Sequence, residues 1–516
     1  MKNGRYKTIA IWTEKTAAGV ILILVLLFML FLAVSAMTGT ADLQIEPVHG
    51  ERIAFTTDNM FLNILVMVLC VLAMYLFYKH CGELRLKNME RVLIGCGFLF
   101  GTAFILSLKL CSPSFSDSFI VSYAAQRAAV GDYSMLGESY FLRFPFQLGY
   151  VLYSELFFRL MGLIFRGFPE GYFCLALQEV NLLWMLFAYV SLIRICEYLS
   201  NDSRVQKLTV LLLFFCLPPL MSCTFLYGNI PAFGCGAGAV WMFTAFLKSG
   251  KLSRAILCAV LLTLAVLLKL NLLIFLAAIA VIWLLEIIRK PSLKSLLCLV
   301  LTAACVLSAR GLPQKLYEKR TGMEYGEGIP MLAWMAMGFS DGYAAPGWYK
   351  EDNTVTAFEE SGHDPAAVTA NARQVLDERI QYFRAEPGAA VNFFSDKLRS
   401  QWNEPSYQSL WVNQVFGSYS EKGVLYRILC VTGEPVVREY MNQYQQLVYA
   451  GMLLGCIALW KKKRTGVLIL PLIILGGLLY HLLFEAKSQY ALPYFIMMIP
   501  VAACGFAGLF KKVDER

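Results

Sequence analysis

Long apolar segments separated by short basic loops dominate the chain. A helix needs roughly 20 apolar residues to cross a bilayer core of about 30 Å. Segments of this kind lie near residues 18–37, 60–78, 92–109, 172–193, 208–226, 229–247, 255–268, 271–288, 295–311, 444–460, 466–484 and 491–510. The pattern therefore predicts an all-α polytopic membrane protein with about 12 transmembrane helices.

The loops between these segments indicate their orientation. If the basic N-terminal segment lies inside as an uncleaved anchor, every inner loop is short and rich in lysine and arginine. These loops are residues 79–91, 194–207, 248–254, 289–294, 461–464 and 511–512. The distribution follows the positive-inside rule. It predicts a multi-pass protein of the cell membrane with both termini in the cytoplasm.

Composition agrees with this topology. Hydrophobic residues make up 58% of the chain and charged residues 16%, as in polytopic membrane proteins. A net charge of +9 would suggest an anionic partner for a soluble protein, but here the basic residues lie in short loops. Membrane lipids are the expected surroundings, and no nucleic acid is needed to explain the charge.

Two loops are too long to be simple turns and are expected to carry function on the outer face. The N-terminal transmembrane region, residues 1–311, includes the first of them, 110–171, and the second is an outer-face subdomain, 312–443. Residues 444–516 hold the C-terminal transmembrane helices. Segment 146–165 would invert the charge pattern if it crossed the membrane, so we expect an interfacial helix. An ordinary span is the alternative.

The second loop contains its own helix signals. Asp364-Pro365 is a typical helix start and Glu386-Pro387 a typical stop, and a further helix should follow. The tract from Ser400 to Trp411 then mixes aromatic, amide and acidic side chains, which can stack on sugars and bind their hydroxyl groups. An aromatic belt at the membrane surface is the alternative.

Three charged residues are expected at the outer membrane surface. Asp117 follows a predicted span closely, Lys269 lies in the turn of a helical hairpin, and Lys487 precedes the last span. A carboxylate there could act as a general base, and cations could hold a lipid phosphate. A helix N-cap is the alternative for Asp117, and a snorkelling lysine is the alternative for Lys269.

A dedicated zinc site is not expected, because no two of the four histidines stand at ligand spacing along the chain. No cofactor is therefore predicted, although a divalent metal stays open.

These features together resemble the GT-C fold glycosyltransferases, more narrowly the glycosyltransferase family 39 and protein-mannosyltransferase-like membrane proteins. The resemblance covers most of the chain. It rests on Asp117, the tract from Tyr140 to Gly149, the Leu268-Lys269-Leu270-Asn271 turn, and Gln489-Tyr490 with Pro493.

The resemblance implies transfer of a sugar, with inversion, from a polyprenyl-phosphate donor to a cell-surface glycan, lipid or protein. By resemblance Asp117 is the catalytic base, and Lys269, Lys487 and Arg127 bind the donor phosphate. Further substrate contacts are expected at Asp132, Tyr140, Arg143, Gln147, Trp402, Glu404, Gln489 and Tyr490. Ser118 follows Asp117 where several relatives have glutamate, so Asp132 and Glu138 are the candidates for a second acid.

Two other functions remain open. A lipid-linked sugar flippase or transporter would also have many spans, but it would favour internal repeats and broken helices, and no convincing repeat joins the two halves. A polysaccharide polymerase would share the chemistry and differ in the size of its donor.

Overall fold

A computed structural model describes residues 2–109, 116–166, 172–415, 422–461 and 465–515. Helices make up most of these residues. The N-terminal part contains helix α1 (Lys2–Thr38), strands β1 (Gly39–Glu46) and β2 (Gly50–Thr57), and helices α2 (Met60–His80), α3 (Leu86–Leu108), α4 (Ser116–Ala129), α5 (Ser139–Arg143) and α6 (Leu148–Ile164).

The central part continues with α7 (Tyr172–Leu199), α8 (Ser203–Phe215), α9 (Pro218–Met221), α10 (Asn229–Ser249), α11 (Leu252–Leu268), α12 (Leu273–Arg289) and α13 (Leu293–Ala309). The long second loop contains α14 (Leu312–Thr321), α15 (Met331–Gly338), α16 (Ala357–Glu360), α17 (Pro365–Ala385), α18 (Pro387–Trp402), α19 (Ser409–Gln414) and α20 (Val424–Arg427). The chain closes with α21 (Glu434–Trp460), α22 (Ile469–Leu483) and α23 (Ser488–Asp514).

The helices are those of a multi-pass membrane protein. Nine stretches within the described ranges are long and apolar enough to cross a membrane, and α8 with α9 adds a tenth if this pair, bent by 48°, is one span. All twelve predicted segments are helical. However, α11 is short and α21 is not among the candidates, so the count of twelve stays a prediction.

A β-hairpin interrupts the predicted all-α architecture. Strands β1 and β2 pair antiparallel, and Gly50 closes the turn with a φ of +80°. Leu43 and Ile53 pack with Trp348 and Trp411 of the second loop. The sequence pattern that indicates this hairpin is an alternation of apolar and polar residues on both sides of the turn. This alternation is short, and the long apolar segments around it give a much stronger signal.

The second loop folds as predicted around α17. Asp364 caps this helix by accepting a hydrogen bond from the Ala366 amide at 2.9 Å. Val368 and Leu376 face a small core that also includes residues of α15. Helix α18 follows at once, so this loop is a helical subdomain over the bundle.

Two glycines bring three helices together at the end of α11. A Cβ atom on Gly149 of α6 would lie only 1.8 Å from the carbonyl oxygen of Leu267. Gly228, with a φ of +84°, precedes α10 and would place a Cβ atom 2.8 Å from the carbonyl oxygen of Leu268. The starts of α6 and α10 therefore meet the chain just before Lys269. Helix α6 itself is not among the candidate spans, and its interfacial position stays a prediction.

Candidate functional site

A chain of hydrogen bonds connects Asp117 to the loop before α6. The hydroxyl of Tyr227 donates to Oδ2 of Asp117 at 2.8 Å. The side-chain amide of Gln147 donates to the same hydroxyl oxygen at 2.5 Å. Asp117 lies in the first turn of α4, and Tyr227 lies between α9 and α10. The Tyr227 hydroxyl thus holds one carboxylate oxygen of Asp117, and the buried Tyr140 side chain also interacts with this carboxylate.

Lys269 lies over the face of the Tyr227 ring. Its ammonium nitrogen is 3.8 Å from the centre of the tyrosine ring, within the range of a cation–π interaction. The residue ends α11 in an extended conformation and is only partly buried. Its ammonium makes no hydrogen bond or ion pair within 4 Å among the described residues, although the charges of Asp117 and Glu485 act on it. An anionic ligand could therefore bind it directly.

The turn between α22 and α23 brings two more charges to this face. Lys487 pairs with Glu51 of β2 at 3.1 Å. The Tyr490 hydroxyl donates to Glu485 at 3.2 Å. Burial raises the pKa of Glu485 to about 7, although Lys487 opposes the shift. Burial disfavours the charged form of Lys487, but the carboxylates of Glu51 and Glu485 outweigh it and raise its pKa. Asp117 contributes to both shifts, so the groups share one electrostatic field.

Amide side chains connect this turn to its neighbours. Gln408 donates from Nε2 to Glu51 at 2.8 Å. Asn229, the first residue of α10, donates to the side-chain oxygen of Gln489 at 3.1 Å. These bonds join the hairpin, the second loop and α23 around the charged groups.

A buried lysine, Lys397, holds the turn between α22 and α23 in place. The ammonium of Lys397 donates to the carbonyl oxygens of Gly338, Leu482 and Phe484 at 2.5, 3.0 and 2.8 Å. Burial lowers the pKa of Lys397 to about 7. It therefore fastens the end of α22 to α15 and α18, and fixes where Glu485 and Lys487 project.

The structure gathers most of the predicted residues. Gln147, Gln489 and Tyr490 lie with Asp117 and the two lysines, as described above. Tyr140 lies nearby, because burial and then the charge of Asp117 raise the pKa of its hydroxyl. These residues come from distant parts of the sequence, so their convergence is a property of the fold.

Arg127 and Asp132 lie elsewhere. They pair with each other at 2.9 Å, at the opposite end of α4 from Asp117, which is about 15 Å along the helix axis. The backbone amide of Ser134 is the largest of several hydrogen bonds that lower the pKa of Asp132 to about 2. Arg143 contacts Glu359 of the second loop at 3.4 Å. Their substrate contacts stay predictions.

Trp402 and Glu404 are buried beneath the site rather than open toward it. Trp402 has no exposed surface. Glu404 accepts hydrogen bonds from Ser406, Gln408 and Ser488 at 2.5 to 2.9 Å. The polar aromatic tract therefore supports the turn before α23, and its predicted stacking on a sugar would need these groups to become accessible.

Two residues of the site were not predicted. Tyr227 lies between Asp117 and Lys269, and its only sequence signal is its place directly before the glycine that precedes α10. Glu51 belongs to the hairpin, whose alternation of Leu43, Ile45, Ile53 and Phe55 around Gly50 could have located it.

No three metal-binding side chains gather within the described ranges. Comparisons with protein-family models and with curated proteins give no match for this chain. The fold defines a multi-pass helical membrane protein, and its function must be argued from the site.

Proposed function

We propose that the protein is a membrane glycosyltransferase that moves a sugar from a polyprenyl-phosphate donor to a hydroxyl acceptor on the outer face of the cell membrane. The observation that carries the proposal is that Asp117 and Lys269 both contact Tyr227. The Asp117 carboxylate accepts the Tyr227 hydroxyl at 2.8 Å, and the Lys269 ammonium lies 3.8 Å from the centre of the same ring.

The two charges suit the two ends of a displacement reaction. The acceptor hydroxyl would lose its proton to Asp117 as its oxygen bonds to the anomeric carbon. The bond from that carbon to the donor phosphate would break, and the electron pair would leave with the phosphate. Lys269 would stabilise this developing charge, with Lys487 alongside. Attack opposite the leaving group would invert the anomeric configuration.

The surroundings of the site favour a lipid-borne donor. Lys269 separates α11 from α12, two apolar helices, so its ammonium lies where a chain held in the membrane can present its phosphate. The second loop contacts the same region, since Lys397 of α18 binds the carbonyl oxygens at the ends of α15 and α22. A transferase needs protein structure of this kind next to a reactive donor, whereas a flippase must leave a path for the sugar.

Sugar transfer by the purified protein tests the class of function. We expect product when the protein in detergent receives a panel of polyprenyl-phosphate sugars with a mixture of glycan, lipid and peptide acceptors. The assay should run with and without a metal chelator. The proposed mechanism assigns the stabilisation of the leaving phosphate to lysine side chains, so transfer is expected in both conditions.

A second assay separates the proposal from its main rival. The protein is placed in liposomes with a fluorescent lipid-linked sugar, and movement across the bilayer is followed with a membrane-impermeant quencher. Lipid movement without any transfer would contradict the proposal and favour a flippase. Transfer without movement would support it.

A further inference from the structure

A cavity lies away from Asp117, between α4, α6 and the start of α7. Its volume is about 350 Å³, which is within the range of small-molecule sites. The lining includes Gln126, Val130, Phe158, Arg159, Gly162 and Phe173. The cavity is therefore an apolar groove with a cation at one place.

Arg159 belongs to a charge cluster with a surplus positive charge. The carboxylate of Glu155, which has no exposed surface, accepts from Arg159 at 2.8 Å and from Arg320 at 3.0 Å. It also accepts the Tyr317 hydroxyl at 2.5 Å. Two guanidinium groups against one carboxylate leave one positive charge, which an anion at the groove would balance.

The guanidinium of Arg159 is held in place by hydrogen bonds, and part of its N–H groups remains available for a ligand. Its Nε atom donates to Glu155, and Nη2 donates to the Ala128 carbonyl and the Tyr133 hydroxyl. Nη1 has no partner within the described part of the chain. The Arg159 side chain is 39% exposed, so these N–H groups are accessible from the groove.

The rim of the groove is apolar and exposed. Two lining residues, Leu163 of α6 and Val130 directly after α4, are 68% and 61% exposed. Leu156 and Leu160, elsewhere on α6, are 58% and 50% exposed. The groove ends at α7, which is a candidate span. In a membrane protein such a surface faces acyl chains, and an arginine beside it faces headgroups.

We propose that this groove binds an anionic phospholipid of the membrane, with its headgroup phosphate on Arg159 and an acyl chain lying over Gly162 between α4 and α6. The charge of the cluster selects an anionic lipid over a zwitterionic one. The proposal does not depend on the proposed function.

Gly162 allows a steric test of the groove. It lines the groove, and a Cβ atom at this position would meet no atom within 4 Å, so Gly162→Phe directs a ring into the groove. Arg159→Gln removes the surplus charge, while Glu155 keeps Arg320 and Tyr317. Two matched controls are Gly95→Phe, an open glycine on α3, and Arg289→Gln, a similarly exposed arginine paired with Glu286.

The experiment uses full-length protein in nanodiscs containing phosphatidylglycerol with a photoreactive acyl chain, and mass spectrometry of the crosslinked peptides. We expect labelling of α4 and α6 that excess phosphatidylglycerol displaces and phosphatidylcholine does not. Arg159→Gln should lower this labelling roughly tenfold, the effect of losing a charge-assisted contact. Gly162→Phe should abolish it, and both controls should label as the unaltered protein does.

Three results would overturn the proposal. Equal displacement by phosphatidylcholine would show an unselective lipid surface. Unchanged labelling in both groove variants would place the lipid elsewhere. Displacement by polyprenyl phosphate alone would make the groove part of the donor site.

Discussion

At the scale of single residues, Lys269 carries the charge that the reaction needs. Lys269→Met should lower sugar transfer by about 100-fold, because oxyanion stabilisers typically contribute 10²–10³ to turnover. Lys269→Arg keeps the charge and should retain more activity. The control is Lys350→Met, a lysine of the second loop paired with Asp352 at 2.8 Å. Transfer by Lys269→Met at the normal rate would remove this lysine from the mechanism.

Glu485 should make stability depend on pH. Its folded-state pKa of about 7 lies above the ordinary value of 4.5. The folded protein therefore holds this proton more tightly, and the resulting stability is present below pH 4.5 and lost as the pH rises through 7. The titratable groups around it include Tyr490, Lys487, Glu51, Asp117, Lys397, Lys269 and His481.

Glu485→Gln mimics the protonated form, so the variant should match the unaltered protein near pH 5 and be more stable at pH 8. Thermal unfolding in detergent from pH 5 to pH 8.5 measures the difference. Glu360→Gln, at an exposed position, should leave the pH profile unchanged. Parallel profiles for Glu485→Gln and the unaltered protein would contradict the assignment.

The sequence located the charges of the site better than their partners. Asp117, Lys269 and Lys487 each adjoin the end of an apolar helix or segment, and the predicted topology put these ends on one face of the membrane. A shared face does not say which side chains are in contact. Tyr227 joins Asp117 to Lys269 only because α10 begins beside α11, and Arg127 turns away because it lies at the far end of its helix.

At the scale of elements, the contact between α6 and α11 should control the site. Gly149→Ala would place a methyl group against the Leu267 carbonyl oxygen. Relieving this clash requires a shift of the backbone, which lowers stability. We expect lower thermal stability and lower transfer together, because Gln147 and Lys269 flank this contact.

Gly162→Ala in the same helix is the control. Its methyl group meets open space, and alanine favours the helix by roughly 0.5–1 kcal/mol over glycine. This variant should be at least as stable as the unaltered protein. Equal stability of Gly149→Ala and Gly162→Ala would show that the close approach is not required.

The elements themselves were partly predictable. Apolar runs and the Asp364-Pro365 start indicated the long helices and α17, since these signals are local. The hairpin was missed because its strands gain their stability from Trp348 and Trp411, which lie some 300 residues further along the chain. A local pattern cannot report such a partner.

At the scale of the whole molecule, the topology is testable with reporters. If twelve spans are correct and α6 does not cross, alkaline phosphatase fused after Ser361 should be active outside. Green fluorescent protein fused after Lys251, Lys461 or Arg516 should fluoresce inside. Active phosphatase at Lys251 would contradict this topology: either α6 crosses the membrane or the bent pair of α8 and α9 does not.

One measurement tests the central claim most directly. Single-turnover sugar transfer is compared between the unaltered protein and Asp117→Asn, with donor binding measured on the same samples and Asp352→Asn as an exposed control. We predict that Asp117→Asn binds the donor normally but loses transfer by at least 100-fold, the range of a lost general base. Transfer by Asp117→Asn at the rate of the unaltered protein would contradict the account.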